Sequence, residues 1–170
     1  KKMGQRIARK AYNMLSRDYK EPQVRYELEV VKEEKAFGNQ VGAIAIATTS
    51  TGCILGSEAL GGRMITPEKV GKTLAVGLMK ELKSCGSVDS HMQDQLIIYM
   101  ALADGKSKIR IGAMTEHTRT AIYYAQLFTG AKFSLEKVPV EDRRNDSEQC
   151  YDIICKGIGF ENSICKEDVS

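Results

Sequence analysis

A chain of 170 residues with 42% hydrophobic and 28% charged residues has the composition of a folded globular protein and the length of one ordinary domain or two small ones. Its formal net charge of +3 excludes the broad electrostatic footprint of a general nucleic-acid binder, although a few local cations can still line a pocket. No apolar run approaches the roughly 20 residues that span a bilayer, so no membrane partner is expected.

The first residues, KKMGQRIARKAYNML, lack the apolar block of a secretory signal. They begin without a methionine or a visible cap, so the helix reads as starting inside a larger protein. Ile7, Ala8, Ala11, Met14 and Leu15 recur at helical spacing, which predicts an amphipathic helix over residues 2–18 with its cations solvated. Val24, Tyr26, Leu28 and Val30 then alternate with Arg25, Glu27 and Glu29, the pattern of a half-buried strand. After a turn-rich EEKAFGNQ, residues 41–60 read as two strands joined by a hairpin near Ser50-Thr51-Gly52.

Gly61-Gly62 reads as a hinge, and a helix restarts cleanly beyond it. Thr66 is its N-cap, Pro67 its first residue, and Val70, Leu74, Leu78 and Leu82 its apolar stripe. A second helix covers VDSHMQDQLIIYMALADG, with Gly105 as its stop. KSKIRIGAM is a strand, MTEHTRTAIYYAQLF a helix, AKFSLEKV a strand, PVEDRRNDSEQ a charged loop and CYDIICKGIGF a last strand, followed by a tail. The order predicts an α+β or α/β protein: a small α+β module of one helix and three strands over 1–62, and a helix-backed mixed sheet over 63–170. Five cysteines, Cys53, Cys85, Cys150, Cys155 and Cys165, show neither CxxC spacing nor a zinc-like pairing with histidine, and read as reduced packing thiols inside a cell. No metal-ligand set is read from the spacing.

Only two histidines occur. His117 stands among Thr115, Thr118 and Thr120 at the start of a predicted helix. Thr115 or Thr118 can cap that helix, leaving backbone N–H groups beside the imidazole, a favourable setting for phosphate. An imidazole lone pair can attack phosphorus without first losing a proton. The bland alternative is a loop histidine in an ordinary hydrogen bond. His91, Asp94 and Gln95 lie at i, i+3 and i+4, on one helix face opposite Leu96, Ile97, Met100 and Leu102. They can read the edge of a base or a ribose, or form a solvated face.

HMQDQLIIYMALADGKSKIRIG followed by TEHTRTAI and GAKF resembles the C-terminal half of the RNA 3′-terminal phosphate cyclases, and AFGNQVGAIAIATTSTGCILGSEALGGR resembles that family's insert domain. The similarity runs from Lys1 to about Phe160. The resemblance implies an insert domain over 1–62 and the last repeat of the catalytic domain over 63–170. It implies ATP-dependent conversion of an RNA 3′-phosphate into a 2′,3′-cyclic phosphate through a histidine–AMP and an RNA–ppA intermediate. His117 matches the adenylylated nucleophile, and Asp94 and Gln95 match the nucleotide pocket. His91 falls where bacterial members carry a tyrosine against the adenine. The implied companions are ATP, a divalent ion such as magnesium or manganese, RNA ending in a 3′-phosphate, and the remaining N-terminal half of the same protein. The nucleus is the expected compartment, with the cytoplasm as the other. A catalytically inactive cyclase-like ribosome-assembly factor is the alternative, which the presence of His117 disfavours. A plain RNA-binding module ranks behind both, because aromatics make up only 6% of the chain and look scattered between cores.

Overall fold

The computed structural model describes residues 2–19, 25–32, 35, 38, 40–142 and 149–161. They divide into two compact units, one ending at Lys83 and the other beginning at Ser84.

The first unit holds α1 (Lys2–Asp18), β1 (Val41–Thr48), β2 (Ile54–Gly61) and α2 (Pro67–Lys83). β1 and β2 pair antiparallel from Val41↔Gly61 to Thr48↔Ile54. The hairpin closes where the sequence predicts it: the Thr49 N–H donates to the Cys53 carbonyl at 2.9 Å and the Gly52 N–H to the Thr49 carbonyl at 3.0 Å. Gly52 adopts φ 82°, a left-handed conformation that suits glycine. Alternation along the strands sends Ala43, Ala45, Ala47, Leu55 and Ala59 toward the helices. There they meet Ile7, Ala11, Met14 and Leu15 of α1 and Val70, Leu74, Ala75, Leu78 and Leu82 of α2 in one core. The small side chains of β1 let two helices seat against a two-stranded sheet.

One expectation is corrected here. The described residues 25–32 form no strand, and Val24 lies outside the described residues. Tyr26 makes an edge contact with Tyr12 of α1, ring centroids 5.2 Å apart, and Val30 lies over Gly4 of the same helix. This segment runs along α1 rather than beside β1, and Leu28, which points away, stays 58% exposed. The module therefore has two strands among its described residues, not three. The first compact unit runs on to Lys83 and so includes α2. The apolar stripe of α2 is spent on α1 and β2 in the first unit's core, so the glycine pair marks a chain reversal within one unit. Thr66 does cap α2, its Oγ1 accepting the Lys69 N–H at 3.3 Å.

The second unit holds α3 (Met92–Leu102), β3 (Lys106–Ile111), α4 (Glu116–Thr129), β4 (Lys132–Lys137), a short 3-10 turn (Val140–Asp142) and β5 (Tyr151–Lys156). Its sheet has the order β3-β5-β4, and both pairings are antiparallel. β3 and β4 run the same way, as their strand–helix–strand connection requires, but β5 lies between them. The α+β class holds, while the mixed sheet expected from the element order becomes an antiparallel one. Ile109, Ile111, Phe133, Tyr151, Ile153 and Cys155 face Ile97, Met100 and Ala101 of α3 and Ile122 and Ala125 of α4. Both helices therefore pack on one side of the sheet. α4 ends at Gly130, φ 76°, whose N–H donates to the Gln126 carbonyl.

Cys85 and Cys150 are joined as a disulfide with their Cα atoms 6.3 Å apart, contrary to the expectation of five reduced thiols. Cys53 and Cys155 are free, and Cys165 and the predicted tail at 162–170 lie outside the described residues. No helix among the described residues is long and apolar enough to cross a membrane.

Candidate active site

The local chemistry of α4 explains where His117 stands. Thr115 is the N-cap, with extended backbone (φ −92°, ψ 159°), and its Oγ1 accepts the Thr118 N–H at 3.1 Å. The Arg119 N–H closes the first helical turn onto the Thr115 carbonyl at 3.1 Å. His117 is thus the second residue of the helix and exposed. Within the chain, the cap serves Thr118, and no described group takes the amide hydrogens of Glu116 and His117. Two backbone donors therefore stand beside the imidazole at the positive end of a helix, an arrangement that suits phosphate oxygens. Glu116 would oppose an anion there, but its carboxylate pairs with Arg119 at 3.3 Å in an exposed i,i+3 bridge. Such a bridge is worth little energetically, and turns part of the charge aside.

The start of α3 lies against the start of α4. Gln93, only 1% exposed, donates from Nε2 to Thr115 Oγ1 at 3.1 Å and to the Ala113 carbonyl at 3.5 Å. Thr118 is fully buried beneath the cap, and its Oγ1 lies 2.9 Å from Thr115 Oγ1. A buried polar network thus ties the two helix starts together. Burial without partners would be costly for these groups, so the bonds fix the geometry.

The other predicted residues sit on α3 or just ahead of it. Asp94 is half-buried and Gln95 exposed. His91 precedes the helix instead of lying within it: Asp89 caps α3, its Oδ1 accepting the His91 N–H at 3.1 Å and the Met92 N–H at 2.8 Å. His91 keeps a helical backbone (φ −86°, ψ −37°) and is exposed. The buried face of α3 is Gln93, Ile97, Met100 and Ala101. Leu96 and Leu102, expected in the core, are half-buried at its margin. Gln93 and the cap role of Asp89 escaped the sequence reading. An Asp three residues ahead of a helical run is a recognisable cap signal, whereas a glutamine among helical residues reads as surface.

Among the described residues, no group of three or more His, Cys, Asp or Glu is placed to hold a metal ion.

Residues 9–135 match the sequence profile of the RNA 3′-terminal phosphate cyclases. The chain belongs to the RNA 3′-terminal phosphate cyclase family. It is 35% identical over 158 residues, 93% of its length, to a Dictyostelium discoideum protein named "Probable RNA 3′-terminal phosphate cyclase". It is 37% identical over 145 residues, 84% of its length, to the RNA 3′-terminal phosphate cyclase of Drosophila melanogaster. A Methanosarcina barkeri protein of the same name is 46% identical over 83 residues, which is 49% of this chain and 25% of that protein. The chain spans 36% of the Dictyostelium relative and 38% of the Drosophila one. All four candidate residues of this site fall within the matched segment.

Proposed function

We propose that this chain supplies the nucleophile-bearing part of an ATP-dependent RNA 3′-terminal phosphate cyclase, with His117 as the adenylylated residue. The observation that carries this reading is the exposed His117 on the first turn of α4, beside the amide donors of Glu116 and His117, which no described group takes up. Family membership supports it, and so does the cyclase name carried by the relatives.

The chemistry follows from what these groups can do. An imidazole nitrogen of His117 attacks the α-phosphorus of ATP, forming an N–P bond as pyrophosphate leaves. The helix-start N–H groups receive negative charge on the phosphoryl oxygens. An oxygen of the RNA 3′-phosphate then attacks the same phosphorus, which frees the imidazole and leaves an RNA–ppA end. The vicinal 2′-hydroxyl attacks the 3′-phosphorus, AMP departs, and a 2′,3′-cyclic phosphate remains. The first two steps turn an unreactive phosphate monoester into one that carries a leaving group. Asp94 and Gln95, on the first turn of α3, are assigned to the nucleotide's polar edge, and His91 to its base. The remaining contacts belong to the N-terminal part of the protein. A divalent ion is part of the same proposal, but the described residues offer no donor cluster that fits one, so no step is routed through it.

The test is incubation of the full-length protein carrying this chain with α-labelled ATP, followed by denaturing electrophoresis. The expected label is stable to base and released by acid, as a phosphoramidate is, and His117→Ala abolishes it. Folding should change by less than about 0.5 kcal/mol, because the side chain is exposed. Undiminished label in that variant overturns the assignment.

A further inference from the structure

We propose that Gln93 is a positioning residue for His117, an inference that rests on the reading of His117 as the nucleophile. The hydrogen bonds at Thr115 run in a definite direction. Thr115 Oγ1 accepts from Gln93 Nε2 at 3.1 Å and from the Thr118 N–H at 3.1 Å. Both lone pairs of the hydroxyl are then in use, so its own hydrogen must be the one donated to Thr118 Oγ1 at 2.9 Å. The chain of bonds runs one way, from the Gln93 amide to the Thr115 hydroxyl to the Thr118 hydroxyl.

A capping threonine needs only the Thr118 N–H to do its ordinary work. The added bond from Gln93 fixes the Thr115 side chain from the neighbouring helix, and with it the point where α4 begins. His117 lies two residues beyond that point, and Asp94 and Gln95 directly follow Gln93. One buried amide therefore sets the register between the attacking imidazole and the groups assigned to the nucleotide. A leucine or methionine would fill the same volume without the desolvation that a buried amide demands. The polar residue thus specifies geometry at a cost in stability, and in-line attack is sensitive to displacements near 1 Å, which can lower a rate by about 100-fold.

The experiment uses the full-length protein, with Gln93→Leu and Gln93→Met as parallel variants so that one packing failure does not decide the result. Single-turnover adenylate formation should slow by about 10–100-fold, with half-saturation by ATP changed less than about threefold and thermal unfolding still cooperative. Thr115→Val removes the same bond together with the cap of α4, so it should be at least as slow, and adding Gln93→Leu to it should cause no further loss, because the Gln93–Thr115 bond is already gone. A merely structural Gln93 would give folded variants with wild-type rates, and that result overturns the proposal. Additive losses in the double variant overturn it as well. His117→Ala separates the two readings. If that variant still labels, the nucleophile assignment falls. If it does not label while the Gln93 variants react at full speed, only the positioning role falls.

Discussion

Arg110 and Asp152 stand directly opposite each other in the register of β3 and β5, and the guanidinium grips the carboxylate at two points, Nε to Oδ1 at 2.7 Å and Nη2 to Oδ2 at 3.0 Å. Lys108 Nζ adds a third contact at 2.8 Å. By the alternation of β5, this cluster lies on the sheet face turned away from α3 and α4, and Asp152 is still only 6% exposed. The Arg110 hydrogen bonds hold the Asp152 carboxyl down at about 2. They prevail over burial, which pushes the other way, and Lys108 assists.

A pH dependence follows with a definite sign. The folded value lies below the ordinary 3.8, so the unfolded chain binds the proton more readily. The stabilisation is complete above the unfolded value and is lost as pH falls through 3.8 toward about 2. Urea unfolding between pH 5 and pH 2 should show a loss on the order of 2 kcal/mol from this residue. Asp152→Asn should be less stable at neutral pH by about 1–3 kcal/mol and should lose that part of the acid slope. An unaltered slope in the variant would assign the acid sensitivity elsewhere.

The first unit depends on how closely α1 and α2 approach. A Cβ at Gly71 would lie 2.5 Å from the Ile7 carbonyl oxygen and 2.9 Å from Lys10 Cβ. Backbone cannot yield as a flexible side chain can, so Gly71→Ala must push the helices apart. The expected cost is about 1–3 kcal/mol, the range for overpacking. Gly62→Ala is the control, since nothing lies within 4 Å of its added carbon. Urea unfolding should separate the two, and equal midpoints would mean that the helices accommodate the methyl group.

The features legible in the sequence are those written in local chemistry. Thr66-Pro67, Ser50-Thr51-Gly52 and Thr115 each announce a cap or a turn through their own side chains, and each appears where expected. Partner choice is not local. The alternation of Tyr26 and Val30 signals one buried edge, and does not say that α1 instead of a strand will cover it. The stripe of α2 signals burial, and does not say which unit receives it. β5 separates two strands whose sequence order suggests that they should pair. Of the candidate site, the Thr115 cap that leaves His117 exposed at the start of α4 is legible through the threonines around it. Gln93 is not, because its burial depends on a helix that follows 22 residues later at Thr115.

The outer side of α4 carries an aromatic group without cover among the described residues. Tyr124 and Phe128, at i and i+4, stack with centroids 5.9 Å apart, and Tyr123 meets Tyr124 edge-on at 5.2 Å. Phe128 is 80% exposed. Apolar surface of this kind binds hydrophobic dyes, so the 170-residue chain should raise the fluorescence of such a dye while folded. Tyr124→Ser with Phe128→Ser should remove most of that signal and change stability by less than about 1 kcal/mol, because exposed rings contribute little core packing. A signal that persists in the folded double variant would locate the apolar surface elsewhere.

Asp94 and Gln95 can be separated by their surroundings. Neither belongs to the buried face of α3, which is Gln93, Ile97, Met100 and Ala101, so alanine at either position opens no core cavity. Asp94 is half-buried, and Gln95 is exposed. If both touch the nucleotide, their loss should weaken transition-state binding by about 1–3 kcal/mol each, with the larger effect at Asp94, whose contact would be more desolvated. Adenylate formation in the full-length protein, measured across ATP concentrations, should fall in kcat/KM for both variants while each can still be labelled to completion on His117. The retained end point distinguishes them from His117→Ala, which removes the proposed acceptor itself. Wild-type kinetics in both variants would mean that this side of α3 is only a solvated face, and the nucleotide would then have to be held by other groups.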